Sequence, residues 1–292
     1  MKSLLLTTAA LLLIGAAPPK RLTPTDVVNA APASAWKAIP ADDLLVMDLK
    51  SGGRVVLQLA PQFAPVHVAN IRALARGNYW DGATIYRVQD AYVAQWGLND
   101  SDKGFPAGVT AKPPAEYTRA LKGLSVKPLG YADPYAPGAG FVDGWPVAYS
   151  AKGNWANLAH CYGSVGVGRD LSPDTGSGGE LYAVFTPLRH LDRNIAVVGR
   201  VIDGMANLSA LPRGTEALGF YKDRSSDVPI ISARLASDLP AAERPRFQYL
   251  SGVSFDAYLH ARKNRQDDFF IRPAGGVDLC NVNVPVRPVP IP

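Results

Sequence analysis

The stretch ATIYRVQDAYVAQWG, Ala83–Gly97, decides the fold. Two runs rich in β-branched and aromatic residues, Thr84–Val88 and Tyr92–Trp96, flank three poor strand formers at positions 89–91, which predicts two strands joined by a short turn. The first run contains Arg87, a permanent cation among apolar neighbours. Because burying a guanidinium is costly unless another group pairs with it, Arg87 requires either an acidic partner or a functional explanation.

The segment before this stretch is typical of a β-hairpin followed by a helix. The runs LLVMDLK (44–50) and RVVLQLA (54–60) are strand-like, and the linker at 51–53 is a hairpin signal. The next run, APVHVANIRALAR, has Pro65 at the first helical position, Gly77 just past its end, and apolar residues three and four apart. This spacing predicts an amphipathic helix packed on an antiparallel β structure.

Residues 98–160 interrupt the β pattern after the stretch. They are rich in Pro, Gly, Asp and Tyr and show little periodicity, which predicts a long ordered loop with one or two helical turns at Ala115–Leu121. Strands and a short helix resume afterwards. The strand runs are Gly163–Arg169, Leu181–Thr186, Ile195–Ile202 and Val228–Ala236, and the helix is Asp203–Leu211.

The N-terminus has the layout of a secretory signal, which we place at residues 1–17. One positive charge, Lys2, precedes the apolar run Leu4–Ile14, and small residues follow at 15–17. The run is short for a transmembrane helix, although an uncleaved anchor is the alternative interpretation. We therefore expect a secreted, periplasmic protein that has no membrane segment after cleavage.

Two arms surround the central region. Residues 18–43 form an N-terminal arm with a short helix capped by Thr23, and residues 239–292 form a C-terminal extension with a helix capped by Ser254. The two cysteines, Cys161 and Cys280, allow one disulfide in an oxidising compartment. Two buried free thiols are the alternative, and the sequence leaves the choice open.

Composition excludes several classes of function. The 292 residues are 47% hydrophobic with a net charge of +5 and contain no block of Lys or Arg, so we expect no nucleic-acid or membrane surface. The four histidines are scattered, without HExxH or CxxC spacing, and GSVGVG lacks the GxGxxG order. We therefore expect no metal site and no cofactor.

The tripeptide Asp174-Thr175-Gly176 matches the signature of aspartic proteases. That chemistry needs two carboxylates sharing a proton, and in these enzymes the Asp follows an apolar strand. Here Ser172-Pro173 precede the tripeptide and Gly178-Gly179 follow it, which is typical of a loop. We reject the protease interpretation on these grounds.

The order of helix, arginine segment and closing strands resembles the cyclophilin-type peptidyl-prolyl cis-trans isomerases. In that family a segment of the form Phe-His-Arg-Val…Phe-Met-x-Gln-Gly-Gly carries the active site. Ile85–Val88 and Tyr92–Gly97 stand for its two parts here, with Arg87 and Gln95 both kept eight residues apart. The back half is similar at Leu191-Asp192, Val198–Val201 and Gly204-Met205.

The resemblance implies a mainly β fold: a closed eight-stranded antiparallel barrel capped by two helices. It covers roughly residues 44–236, so we assign 44–238 to the barrel, with a long loop insert at about 98–160. The arms at 18–43 and 239–292 have no counterpart in the family.

The resemblance also implies the site. Arg87 takes the place of the family's catalytic arginine. The residues that take the place of its substrate-binding groove are Tyr92, Val93, Gln95, Glu180, Tyr182, His190 and Leu191. Three of these depart from the family, since Glu180 replaces a Gln, Tyr182 the pocket Phe, and His190 a Trp. With Gly168-Arg169-Asp170 in place of Met-Ala-Asn, the departures predict a more charged rim and a low catalytic rate.

We therefore expect a monomeric peptidyl-prolyl isomerase that acts on proline-containing polypeptides during export. Arg87 would assist rotation of the prolyl amide, an apolar pocket would hold the ring, and Gln95 would bind the peptide backbone. The alternatives are an Arg87 paired with Glu180 on the barrel wall, a Gln95 that only satisfies backbone groups, and core roles for Tyr92 and Tyr182. At the level of function, the alternative is a catalytically weak peptide-binding scaffold or chaperone.

Overall fold

A computed structural model describes residues 22–98, 103–267 and 269–289. The secretory signal predicted at 1–17 lies outside the described residues. The helices in the described ranges are α1 (Pro24–Ala30), α2 (Pro65–Arg76), α3 (Met205–Ser209) and α4 (Gly252–Lys263). None of these helices is long and apolar enough to cross a membrane.

The same ranges contain sixteen strands, most of them short. They are β1 (Trp36–Ala38), β2 (Leu44–Leu49), β3 (Arg54–Leu59), β4 (Thr84–Val88), β5 (Val93–Gly97), β6 (Arg119–Ala120), β7 (Lys127–Pro128), β8 (Gly138–Val142), β9 (Trp145–Ser150), β10 (Trp155–Leu158), β11 (Ser164–Val167), β12 (Leu181–Val184), β13 (Val197–Asp203), β14 (Val228–Leu235), β15 (Phe247–Leu250) and β16 (Val286–Pro288).

Eight of the strands close into a barrel in the order β11-β12-β5-β4-β14-β2-β3-β13, with β13 pairing back to β11. Every pairing in the barrel is antiparallel. Apolar side chains from these strands fill the interior, together with side chains from α2 and α3. The predicted closed eight-stranded antiparallel barrel with two packed helices is therefore confirmed.

Helix α2 begins and ends where the sequence predicts. Pro65 occupies its first turn, and Gly77 follows its last residue. Val68, Ile71 and Leu74 are fully buried against the barrel core, on the one face that the spacing of three and four defines. Burying each such side chain contributes roughly 1.5–3 kcal/mol, which is what holds the helix in place.

The insert is a sheet, so the prediction of a long loop at 98–160 is wrong. Five short antiparallel strands lie in the order β6-β10-β9-β8-β7, and the helical turns expected at Ala115–Leu121 are replaced by the start of β6. The glycines that suggested a loop allow close strand contact instead. A Cβ on Gly140 would lie 2.3 Å from the carbonyl oxygen of Lys127 on the neighbouring strand, so only glycine fits there.

The insert and both arms pack together into one accessory layer, which we define as α1, α4, the β6–β10 sheet and the sheet β1-β15-β16. Its core contains Trp36 from the N-terminal arm, Phe141 from the insert, and Leu250, Phe255 and Leu279 from the C-terminal extension. These three segments are distant in sequence, and none would bury enough apolar surface alone. They therefore order one another.

The predicted cap of α1 is confirmed and that of α4 is wrong. Thr23 and Asp26 form a reciprocal capping box at the start of α1. Helix α4 has Ser251 at its N-cap, whereas Ser254 lies inside the first turn. The backbone N–H and the hydroxyl of Ser251 both donate to the carbonyl oxygen of Ala35, so pairing with the N-terminal arm sets where the helix begins.

A disulfide joins Cys161, which follows the insert, to Cys280 in the C-terminal extension. Both cysteines are buried in the core of the accessory layer. Of the two alternatives that the sequence left open, the structure has the disulfide.

Replacing both cysteines by serine is expected to lower the free energy of unfolding by roughly 2–5 kcal/mol, because the bond links residues 119 positions apart and restricts the unfolded chain. Urea unfolding of the wild type and the double variant, each with and without reductant, measures the effect. Reductant should bring the wild type to the level of the variant and leave the variant unchanged. A wild type that is indifferent to reductant would contradict the prediction.

Candidate active site

Three neighbouring barrel strands, β4, β5 and β12, carry most of the candidate side chains. Arg87 on β4 pairs in register with Gln95 on β5, and Gln95 pairs with Tyr182 on β12. The β4–β5 register shifts between Ile85 and Arg87. Such a shift is a bulge, which re-aims side chains, and here it leaves Arg87 opposite Gln95.

The guanidinium of Arg87 is held by three neutral acceptors. Its Nη1 donates to Oε1 of Gln95 (2.9 Å), its Nη2 to Oε1 of Gln89 (2.7 Å), and its Nε to the carbonyl oxygen of Leu218 (2.7 Å). Among the described residues it forms no ion pair with Glu180, so the alternative of a wall-bound salt bridge is not what the structure contains. Arginine has five N–H donors, so one remains on each terminal nitrogen.

Two aromatic rings flank the same guanidinium. Its Cζ atom lies 5.5 Å from the ring centroid of Phe220 and 5.7 Å from that of Tyr92, within the range of cation–π attraction. Phe220 also stacks on Tyr86 with centroids 5.9 Å apart. Burial lowers the pKa of Arg87, and Tyr92 and Tyr86 partly oppose that shift. The guanidinium nevertheless stays protonated near neutral pH.

Gln95 lies between Arg87 and Glu180 and hydrogen-bonds to both. Its amide nitrogen donates to the Tyr86 hydroxyl (2.8 Å) and to Oε2 of Glu180 (3.1 Å), while its oxygen accepts from Arg87. Burial, followed by the charge of Glu180, raises the pKa of Tyr86, which stays neutral. Both amide hydrogens of Gln95 are therefore engaged, and binding of a peptide backbone would use the second lone pair of its oxygen or exchange a partner.

An apolar cluster lies beside this polar group. Val93 and Tyr182 form its buried part, with 2% and 5% of their surface exposed, and Tyr92, Leu191 and Ile195 pack on it half-buried. The accessible surface of this cluster is therefore made by its half-buried members. His190 is exposed, and its ring stacks on Tyr92 at 6.3 Å between centroids.

Gly166 is required for the position of Tyr182. A Cβ at position 166 would lie 2.3 Å from the Tyr182 ring and hydroxyl. The glycine on β11 thus leaves the space that the tyrosine ring occupies across the strand pair.

A buried network of hydrogen bonds and ion pairs lies behind Tyr182, and no sequence motif predicts it. His160 lies with Nδ1 3.0 Å from Oδ1 of Asp192 and Nε2 3.1 Å from the Tyr182 hydroxyl. With Nδ1 donating to the carboxylate, Nε2 is placed to accept from the tyrosine hydroxyl. Arg189 donates to the other oxygen of Asp192 (2.6 Å) and to both carboxylate oxygens of Asp133.

These linked hydrogen bonds connect the apolar cluster around Tyr182 to the accessory layer. Asp133 and His160 belong to the insert region, whereas Arg189 and Asp192 belong to the segment that carries His190 and Leu191. Arg189 and Asp133 are 56 positions apart, and no local motif relates them. The insert therefore orients Tyr182, a buried member of the apolar cluster.

An open groove of about 880 Å³ extends from the polar group, with Tyr86, Gln95, Glu180 and Phe220 in its lining. Its charged lining residues are Lys103, Arg169, Asp170, Asp174, Glu180, Arg224 and Asp227. Asp174, from the rejected protease tripeptide, accepts from the backbone N–H groups of Asp170 and Gly176, as a loop aspartate does. Across the described ranges no cluster of three His, Cys, Asp or Glu residues has a geometry that would hold a metal ion.

Comparisons with known proteins place the barrel in one family. The family model described as cyclophilin type peptidyl-prolyl cis-trans isomerase/CLD matches residues 44–235. A probable peptidyl-prolyl cis-trans isomerase of Brucella suis biovar 1 (strain 1330) is 26% identical over 183 residues, covering 62% of this chain and 76% of the relative. Peptidyl-prolyl cis-trans isomerase B of Bacillus subtilis (strain 168) is 26% identical over 157 residues, covering 54% of this chain and 82% of the relative.

A solved structure extends the similarity of fold beyond the barrel. The crystal structure of cyclophilin AquaCyp293 from Hirschia baltica superposes with a TM-score of 0.65 at 23% identity, covering 88% of this chain and 97% of the other. The superposed share of this chain is larger than the region that the family model matches. The superposition therefore includes part of the accessory layer as well as the barrel.

The buried network predicts an acid-dependent loss of stability. Burial alone would raise the pKa of Asp192, but the hydrogen bond from His160 and the charge of Arg189 outweigh it and hold the pKa below its ordinary value. The unfolded carboxyl titrates near pH 3.9, so the stabilisation is present above about pH 4 and is lost as the pH falls through the lower, folded pKa.

We expect Asp192→Asn to lower the free energy of unfolding by roughly 3 kcal/mol between pH 5 and 7, because it breaks a buried pair. The gap between wild type and variant should shrink below about pH 4. Urea unfolding of the wild type and of Asp192→Asn across pH 3–7 measures this difference in the free energy of unfolding. The substitution of an exposed aspartate, Asp223→Asn, is the matched control. A gap that stays constant down to pH 3 would show that folding does not shift the pKa of Asp192.

Proposed function

The chain belongs to the cyclophilin-type peptidyl-prolyl cis-trans isomerases, and we propose that it speeds rotation about X–Pro bonds with Arg87 as the catalytic residue. One observation carries the proposal: the Arg87 guanidinium is fixed by neutral acceptors beside a partly exposed apolar cluster. Two of its N–H donors remain for a substrate.

The chemistry requires a well-placed donor and little else. Resonance in the amide gives the X–Pro bond a barrier of roughly 18–20 kcal/mol, and rotation requires the prolyl nitrogen to lose that conjugation. A hydrogen bond donated to the nitrogen's developing lone pair stabilises the twisted state more than the planar one. No bond to the enzyme forms, so no nucleophile is needed.

Arg87 suits this task because it is held in place before substrate binds. Its bonds to Gln95, Gln89 and Leu218 remove the rotamer freedom that a free arginine would lose on binding. Its neutral partners leave its charge uncompensated, so that charge is available to a substrate carbonyl or nitrogen.

The apolar pocket supplies the place for the proline ring. Tyr92 and Leu191 form its accessible wall, and Val93 and Tyr182 lie beneath them. Arg87 lies 5.7 Å from the centroid of the Tyr92 ring, so a pyrrolidine ring on this wall would have its nitrogen close to the guanidinium. We propose proline-containing polypeptides as the substrates on this basis.

One observation favours the second candidate, a weakly catalytic peptide-binding scaffold. The loop that carries Leu218 and Phe220 contacts Arg87 through both a carbonyl oxygen and a ring. If this loop stays in place when peptide binds, it limits how closely a prolyl nitrogen can approach. The groove of about 880 Å³ with its charged lining would still bind polypeptide.

We further propose that the clients are exported proteins and that this chain works in the periplasm. The support is the signal-like pattern at 1–17 together with the Cys161–Cys280 disulfide, since such bonds persist in oxidising compartments. Slow prolyl steps limit the folding of many proteins, and an isomerase outside the cytoplasm would relieve them there.

Arg87→Ala is expected to reduce kcat/KM for isomerisation of an unstructured X–Pro peptide about 100-fold, because it removes the donor to the twisted amide. A protease-free assay that follows the cis-to-trans relaxation by NMR line shape measures the rate. Arg87→Lys should recover only part of the loss, since it keeps the charge and lacks the fork of donors.

The matched control is Arg54→Ala, which removes another barrel arginine that pairs with Asp48 at the β2–β3 hairpin. Its rate should equal that of the wild type. If wild type and Arg87→Ala are equally inactive and both still bind proline peptides, the scaffold is correct. If both are equally active, another group is the donor.

For the export proposal, the full chain expressed in a Gram-negative host is expected in the periplasmic fraction, shortened by residues 1–17 and without free thiols. Mass spectrometry after alkylation measures whether residues 1–17 have been removed and whether the cysteines carry free thiols. A variant lacking residues 2–17 should stay in the cytoplasm with two alkylated cysteines. Full-length, thiol-containing protein in the cytoplasm would refute the proposal.

A further inference from the structure

A second cavity lies where the barrel meets the accessory layer. It encloses about 400 Å³, and small-molecule sites usually span roughly 300–1,000 Å³. Strand β13 forms one wall, Trp145 and Leu158 of the insert form another, and Val282 and Val284 of the C-terminal extension form a third. Among the described residues, none lines both this cavity and the groove beside Arg87.

Arg200 on β13 lines this cavity and reaches across the junction. Its Nε and Nη2 donate to Oε1 of Gln58 (3.0 and 2.8 Å), and its Nη1 donates to the carbonyl oxygen of Gly144 (2.8 Å). The Trp145 ring covers the guanidinium, with 4.6 Å from Cζ to the ring centroid. Three of its five donors are used, which leaves one on each terminal nitrogen.

The charge of Arg200 has no counter-ion in the part of the chain that the structure describes. Its acceptors are an amide and a carbonyl, and no carboxylate there pairs with it. Burial lowers the pKa of Arg200 to about 10, so the group is still charged at neutral pH. Arg200 is partly buried, and a partly buried cation that lacks an acidic partner loses hydration without gaining an ion pair, so proteins usually pair such a group.

We propose that this cavity binds a small organic carboxylate with an apolar body, whose carboxylate pairs with Arg200. Planar guanidinium and planar carboxylate match in geometry and charge. The walls of Val, Leu, Ile and Trp residues suit an apolar body. Arg200 is the only basic residue among those that line the cavity in the described ranges, so the second charge of a phosphate would find no partner.

One acid, Asp203, also lines the cavity and is exposed. Its charge opposes an anion there, so its neutralisation should not weaken binding. This gives a control that lies on the same strand as Arg200.

The test compares 4-phenylbutyrate with 4-phenylbutyramide, which have the same shape and differ in charge. We expect the acid to bind the wild type at least about tenfold more tightly than the amide in isothermal titration calorimetry. In methyl NMR spectra the acid should shift Val282 and Val284, which line the cavity. Arg200→Met should bind acid and amide equally, and Asp203→Asn should bind the acid at least as well as the wild type does.

The comparison on the wild type decides the proposal even if Arg200→Met fails to fold. Equal affinity for acid and amide, or no saturable binding below about 10 mM, would overturn it and show that Gln58 and Gly144 satisfy the cation. Binding that shifts only residues around Tyr92 and Leu191 would place the ligand in the catalytic pocket and would equally refute it.

Discussion

A closed barrel points alternate side chains inward and outward, and its interior accepts only apolar groups. Polar side chains on barrel strands must therefore find partners on the outer surface. Arg87 and Arg200 both lie on barrel strands, and neither pairs with an acid in the described residues. Gln95 and Phe220, which contact Arg87, line a groove, whereas the accessory layer covers part of Arg200 and leaves a cavity beside it. The barrel strands thus determine where the two arginines lie. The segments packed over each arginine determine whether it lies near an open groove or beside a covered cavity.

The accessory layer influences the active site as well as covering the barrel. His160 of the insert bonds to Tyr182 in the apolar cluster, and Asp192 and Arg189 link His160 to Asp133, which is also in the insert. Carboxylates on both sides of Arg189 compensate the cost of burying it. The insert thereby takes part in shaping the pocket, a role that a mobile surface loop could not perform.

The loop around Leu218 and Phe220 gives the site a different kind of constraint. It orients Arg87 and also stands beside it, so the contacts that would prepare Arg87 for the proposed role also restrict access to it. Neighbouring groups that hold a catalytic side chain in place also occupy space beside it that a substrate would need. The balance between isomerase and scaffold depends on whether this loop moves when peptide binds.

Local patterns in the sequence predicted the strands β2 and β3, the helix α2 and the Arg87–Gln95 segment, because each depends on residues close in the chain. The closed barrel was predicted from the resemblance of these segments, in their order, to a known family. The same reasoning failed for the insert, because glycines that permit close strand contact look like loop residues until the partner strand is known. Position 254 failed as a cap because pairing of Ser251 with Ala35 starts the helix earlier.

Only the tertiary structure decided the partners of the charged groups. Asp133 and Arg189, like Arg200 and Gly144, are 56 positions apart, and nothing in the local sequence relates either pair. The bond between Cys161 and Cys280 likewise required the arms and insert to share one core. Residue types determine which groups need a partner, whereas the path of the whole chain determines which partner lies within reach.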